Sequence, residues 1–214
     1  FLVPPSVLAA DQPVLPPEIA RQVCRVLRLR AGHRIVLFDG EGDEVEAVLG
    51  DTGGKEVAVT LGRRTTPDVD LRCRLHMAVA VLKGEKLDWT VQKLTELGAA
   101  SIRLMLTERT ISTAGEERWP KRLDRYRRIA REATEQCGGV RVPEVPEPRT
   151  LAELAADATL AESRLILDPS SDRSLVATVA ATPASLLLLV GPEGGFSAEE
   201  VRLAQELGAT PVRL

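Results

Sequence analysis

The chain has 214 residues, 28 of them Lys or Arg and 31 Asp or Glu, for a formal net charge of −3. Its 44% apolar and 28% charged content excludes intrinsic disorder and allows one large domain, or a small and a medium one, each with a core. The apolar run Ser185 to Val190 is too short to span a bilayer, and no basic-then-apolar leader follows Phe1. Three scattered cysteines (Cys24, Cys73, Cys137) fit a reducing cytoplasm, and two histidines without nearby cysteine partners argue against structural zinc.

By segment, the charge is uneven. Residues 1–70 carry −3, residues 71–149 carry +5 and residues 150–214 carry −5. The basic excess peaks between Arg118 and Arg131, where Lys121, Arg122, Arg125, Arg127 and Arg128 meet only Asp124 as a counter-charge. Local fields attract a polyanion, since screening limits reach to about 8–10 Å at physiological salt. A solvated helix face is the equally weighted alternative.

The first elements suggest a small β-rich unit. Pro16-Pro17 opens a helix expected over Glu18 to Leu29, with Ile19, Val23, Val26 and Leu27 on its apolar side and Arg21, Arg25 and Arg28 elsewhere. Strands follow at Arg34 to Phe38, Val45 to Leu49 and Val57 to Leu61, separated by Gly/Asp turns, the pattern of a small barrel. Thr65-Thr66-Pro67-Asp68 reads as a linker.

From Leu71 strands and helices alternate, which predicts an α/β domain with its ligand site at the carboxyl ends of parallel strands. Strands are expected at Leu75 to Leu82, Ser101 to Leu106, Arg164 to Leu167, Ser185 to Val190 and Thr210 to Leu214. Leu87, Val91 and Leu94 mark a helix that Gly98 ends. Trp119, Leu123, Tyr126, Ala130, Ala133 and Cys137 form the apolar stripe of the basic helix. Further helices are expected at Leu151 to Ala158, Leu175 to Ala180 and Ala198 to Leu207. Trp89, Phe38 and Tyr126 read as core rather than as base-stacking groups, and His76 as a satisfied core residue.

The most informative stretch is Leu186-Leu187-Leu188-Leu189-Val190-Gly191-Pro192-Glu193-Gly194-Gly195-Phe196-Ser197-Ala198-Glu199-Glu200, an apolar strand running through a glycine-rich turn into a helix. Ser197 and Glu200 have capping-box spacing. No G-K-[ST] follows, and Glu193 would oppose an anion, so a neutral or cationic ligand suits the loop better than a phosphate.

This loop resembles that of the SPOUT methyltransferases, and most closely the ribosomal RNA small subunit methyltransferase E family. Agreement extends to Val26-Leu27-Arg28 with Leu37-Phe38-Asp39-Gly40, and to Lys83-Gly84-Glu85-Lys86 through Gln92-Lys93-Leu94-Thr95-Glu96-Leu97-Gly98. It continues through Glu108-Arg109 and Glu132-Ala133-Thr134-Glu135-Gln136-Cys137-Gly138 with Arg141-Val142-Pro143. The resemblance implies a PUA-like RNA-binding β-barrel over residues 1–68 and a SPOUT α/β trefoil-knot domain over residues 69–214, working as a cytoplasmic homodimer through the C-terminal domain. It implies S-adenosylmethionine as methyl donor and N3 of a uridine in 16S ribosomal RNA of the small subunit as acceptor. Carried onto matching positions, the cofactor residues are Leu167, Val190, Gly191, Glu193, Gly194 and Leu214. The RNA-binding residues are Arg25, Arg28, Lys83, Lys86, Arg109 and Arg141. Arg109 and Glu135 are the candidate catalytic residues. The family continues past its last strand with an L-G-x-R-[IV]-L-R-x-E-T-A segment, whose first Leu corresponds to Leu214, and that segment is expected to follow. The family's arginine in its E-Q-x-G-R block is Gly139 here. The competing readings are another knotted methyltransferase acting on a base or a ribose 2′-OH, and a non-catalytic RNA-binding module.

Overall fold

The computed structural model describes residues 1–54, 56–69, 71–82, 85–110, 119–180 and 183–214. The chain forms two compact units, Phe1–Val69 with Thr134–Val142, and Asp70–Ala133 with Pro143–Leu214. Among the described residues no helix is long and apolar enough to cross a membrane.

In the first unit, β1 (Arg34–Phe38), β2 (Glu44–Leu49) and β3 (Val59–Thr65) form an antiparallel sheet in the order β1-β2-β3. Both sheet edges are extended by bridges, Leu2 to Phe38 on one side and Val14 to Ala58 on the other, so neither presents a long unpaired edge. Alternation along β2 sends Val45, Ala47 and Leu49 inward, where they join Ile35, Leu37, Val59, Val3, Leu15 and Val23 in one core. A short α1 (Pro5–Leu8) packs beside β1. The third strand starts later than expected and runs to Thr65, taking up the first residue of the expected linker.

The expected long helix takes a different form. Pro17 opens α2 (Pro17–Arg21), which passes into a π-helical turn over Gln22–Val26. The wider turn rotates the residues after it out of register, since one residue of a helix corresponds to about 100°. Ile19 and Val23 remain buried, whereas Val26 is 70% exposed and Leu27 is also exposed, against the expected single apolar side. Arg28 ends the turn with φ 55°, a left-handed conformation uncommon for a residue with a side chain.

The turn Asp39 to Asp43 closes the β1–β2 hairpin around the Asp39 carboxylate, which accepts the amides of Glu41, Gly42 and Asp43. Gly42 has φ 129°, a backbone conformation that strains any residue with a side chain, and a Cβ there would also force the Arg141 guanidinium to move.

The second unit is a six-stranded parallel sheet in the order β6-β5-β4-β8-β7-β9. Its strands are β4 (Arg74–Ala80), β5 (Ser101–Leu106), β6 (Arg149–Thr150), β7 (Ser163–Leu167), β8 (Ser185–Val190) and β9 (Thr210–Val212). The two-residue β6 is too short to leave a periodicity in the sequence and adds a strand to those expected. Its Thr150 also caps α5 (Leu151–Ala156) through a capping box with Glu153. On one face of the sheet Ala78, Ala80, Met105, Ile166, Leu187 and Leu189 pack with α5 and with Ala204 of α7 (Ala198–Glu206). The opposite face carries Leu165, Leu186 and Val212, with Leu175 of the short α6 (Leu175–Thr178) packed on them.

Two amphipathic helices complete the unit, the second of them as far as Ala133. Helix α3 (Lys86–Glu96) buries Leu87, Val91 and Thr95. Trp89 lies two residues from Leu87, about 200° around the helix, and is 63% exposed, so the expectation that it belongs to the core is corrected. Phe38 and Tyr126 are buried as expected. Helix α4 (Trp119–Cys137) buries Trp119, Leu123, Tyr126, Ala130 and Ala133, while Cys137, the last member of the expected stripe, is exposed at the helix end.

Candidate functional site

Because the six strands are parallel, their carboxyl ends share one edge of the sheet, where ligands of open α/β sheets collect. Val190 ends β8 and pairs with Val79 of β4, while Ile166 of β7 pairs with Leu189 and Leu167 with Val212 of β9. Three predicted positions, Leu167, Val190 and Gly191, therefore gather on neighbouring strands. Asp168 N–H donates to Val212 O at 2.9 Å, and Leu175 N–H to Arg213 O at 2.7 Å, which anchors the segment after β9 beside the segment after β7. Leu167 is half-buried and packs against Leu165, Leu186 and Val212, whereas Leu214 is 86% exposed.

The loop after β8 is built on backbone bonds. Gly195 N–H donates to Pro192 O at 2.8 Å, closing a four-residue turn, and Gly195 has φ 70°, a left-handed position that glycine occupies without penalty. The Phe196 ring folds back over Gly191, where an added Cβ would lie 3.2 Å from two ring carbons. Ser197 Oγ accepts Glu200 N–H and Glu200 Oε2 accepts Ser197 N–H, the expected capping box of α7.

The segment after β5 meets this loop. Arg109 Nη1 donates to Gly194 O, and to Gly195 O at 3.3 Å. Glu108 N–H donates to Glu200 Oε1 at 2.8 Å. Glu193 points its carboxylate at Lys86, Nζ to Oε1 2.7 Å, in an exposed pair that solvent and salt weaken.

The remaining sequence-derived positions are distributed more widely. Lys83 lies outside the described residues. Arg25 and Arg28 are exposed around the π-helical turn of the first unit. Arg141 belongs to the same unit, where it covers Gly42 and its guanidinium donates to Glu41 O. Glu135 also belongs there, and its Oε1 accepts Leu2 N–H at 2.8 Å. Glu96 of α3 is bonded to Lys93 and Gln92 on its own helix, and this holds its carboxyl below the usual range. His76 is buried against Ser101.

The basic face of α4 is largely occupied by protein partners. Arg122 stacks 4.5 Å from the centroid of the Trp119 ring. Arg125 pairs with Asp88, Arg127 donates to Val145 O at 3.0 Å, and Arg128 lies 3.9 Å from Glu132. Counting charges along the sequence misses these partners because Asp88 and Val145 are distant in the chain. Glu200 is legible in the sequence only as a cap, since no local pattern reports its bond to Glu108.

An N-terminal antiparallel unit joined to a parallel α/β unit with a glycine-rich loop at its carboxyl edge defines a two-domain protein. Comparison with known proteins assigns a family to each part of the chain. The RNA methyltransferase domain model matches residues 69–214, and the RNA methyltransferase PUA domain model matches residues 16–62. The chain belongs to this RNA methyltransferase family, with a PUA-like N-terminal unit and a SPOUT-type α/β unit. Over 201 residues it is 27% identical to ribosomal RNA small subunit methyltransferase E of Bacillus subtilis, covering 90% of this chain and 78% of that protein. With the same-named protein of Mycobacterium tuberculosis it shares 30% identity over 194 residues, covering 88% and 73%. The crystal structure of ribosomal RNA small subunit methyltransferase E from Neisseria gonorrhoeae, bound to S-adenosyl methionine, superposes with a TM-score of 0.84 at 29% identity, covering 95% of this chain and 83% of that one.

Proposed function

We propose that this protein methylates N3 of a uridine in 16S ribosomal RNA, using S-adenosylmethionine held by the loop Gly191 to Phe196. It acts in the cytoplasm on the small ribosomal subunit or its RNA, as a homodimer through the C-terminal unit. The observation that carries the reading is a loop of glycines at the carboxyl edge of β8, beside Leu167 of β7. A neighbour of the same fold, at 29% identity, binds S-adenosyl methionine.

The residues fit that group. The glycines let a ligand approach the backbone closely at the carboxyl edge of β8. Leu167, Val190 and Phe196 supply partly buried apolar surface for a purine, and Glu193 supplies a carboxylate near a cationic ligand. When bound, the group supplies a methyl on a positively charged sulfur, and no metal is needed for its transfer. The chain's own work is then positioning, which in a near-attack geometry contributes as much as about 7–11 kcal/mol to lowering a barrier. Uracil N3 carries a proton at neutral pH, so the acceptor nitrogen must be held in the site while that proton passes to water and the methyl takes its place.

RNA contact is assigned first to Arg25 and Arg28. Both are exposed, and among the described residues neither has an acidic partner. Arg109 and Arg141, by contrast, already donate to backbone carbonyls. Lys86 is released only when its exposed pair with Glu193 opens.

Nucleoside digestion and mass spectrometry of small-subunit RNA treated with full-length protein and S-adenosylmethionine test the reading. The expected product is N3-methyluridine. A ribose-methylated nucleoside would replace the acceptor assignment, and no product with no cofactor uptake would leave an RNA-binding module.

A further inference from the structure

We infer that Arg109 and Glu200 act as a two-point clamp on the glycine-rich loop, which makes both of them positioning residues. The inference rests on the proposed reading of that loop as the S-adenosylmethionine site. Arg109 leaves the turn after β5 and places its guanidinium on the carbonyls of Gly194 and Gly195. The second anchor lies where the loop enters α7. Glu200 divides its carboxylate, one oxygen taking Ser197 N–H at 2.9 Å to cap α7 and the other taking Glu108 N–H at 2.8 Å. Neighbouring residues of one turn, Glu108 and Arg109, thus hold the second half of the loop and the start of α7, about ninety positions away in the chain.

The chemistry of each group suits this task. Both bonds leave one guanidinium nitrogen, Nη1, whose N–H directions the planar group fixes, whereas an ammonium is a freely rotating point charge. An ionised carboxylate accepts only, and its two oxygens allow it to serve two amides at once. The glycine at position 194 is explained by the same geometry, because a Cβ there would stand 2.8 Å from Arg109 Nη1 and would push the guanidinium off its carbonyl. Arg109 is therefore spent on the loop rather than directed at the uracil.

Full-length protein is titrated calorimetrically with S-adenosylmethionine, and initial rates are measured with small-subunit RNA. Arg109→Ala is expected to weaken cofactor binding about tenfold to a hundredfold, the range of a missing charge-assisted hydrogen bond. The KM for RNA is expected to stay unchanged and kcat to recover at saturating cofactor. Arg109→Lys recovers only part of the affinity. Glu200→Gln retains one acceptor, and is expected to fall between wild type and Glu200→Ala. Gly194→Ala is expected to weaken binding alone but to add nothing in the Arg109→Ala background, since both changes break the same hydrogen bond. Additive losses, or a kcat deficit that persists at saturation with unchanged affinity, would overturn the clamp and return Arg109 to direct catalysis. Hydrogen exchange of ligand-free protein separates the two readings. Faster exchange of the loop amides in Arg109→Ala supports the clamp whatever the ligand, and unchanged exchange overturns it. Wild-type protein that takes up no S-adenosylmethionine overturns the cofactor reading.

Discussion

His76 of β4 and Ser101 of β5 stand opposite each other in the parallel sheet, His76 Nδ1 2.8 Å from Ser101 Oγ, with both side chains buried. Burial, followed by the charges of Arg103 and Arg74, holds this imidazole below its ordinary value of 6.5, with Glu144 pulling the other way. The unfolded chain therefore takes up a proton that the folded chain resists. Stability from the neutral His76 is whole above pH 6.5 and is lost as the pH falls below that value toward the depressed folded one.

Thermal melts from pH 7.5 to pH 5 check this. The wild type is expected to lose more thermal stability than His76→Gln over that interval. Parallel slopes would show that another group governs the acid limb.

Gly191→Val is expected to abolish cofactor uptake while RNA affinity is kept. A Cβ at this position already lies 3.2 Å from the Phe196 ring, so a branched side chain must displace the ring or fill the space over the loop. Calorimetry with S-adenosylmethionine, beside filter binding of the RNA, tests the separation. Equal loss of both would merge the two sites.

Substituting Arg25 and Arg28 by Ala is expected to weaken RNA binding and to lower the salt-dependence slope by about 1 for each phosphate no longer neutralised. Cofactor affinity should not change. Charge neutralisation at Arg127 and Arg128, which already have protein partners, is expected to leave the slope unchanged. The opposite ranking, measured from binding constants across a salt series, would move the RNA contact from the first unit to α4.

Leu123→Ala is expected to cost about 2–5 kcal/mol in urea melts, since it empties a fully buried position of α4. Trp89→Ala should remain within about 0.5 kcal/mol, as befits a surface position. A large loss at Trp89 would mean that its ring is covered in the assembled protein.

Much of the fold is legible in the sequence because it depends on local patterns. The strand Ser185–Val190, the capping box at Ser197 and Glu200, and the buried stripe from Trp119 to Ala133 each follow from residue order and helical or strand period. The failures have local causes too. A π-helical turn changes the period after Arg21 and turns Val26 and Leu27 outward, and no single-sequence pattern marks such a turn. Residue type alone assigns Trp89 to the core, although its place on α3 turns it outward.

Residue order alone pointed to a parallel sheet after residue 70 and a glycine-rich loop leading from strand to helix, because these rest on patterns within a dozen residues; that Thr134–Val142 joins the first unit was decided by folding. Folding assigned the partners. Arg109 belongs to the Gly194 and Gly195 carbonyls, Glu200 serves two amides, and most of the α4 arginines are taken by Trp119, Asp88, Glu132 and the Val145 carbonyl. A charge in a sequence has no direction, and it acquires one only when distant strands bring a particular acceptor within hydrogen-bond reach.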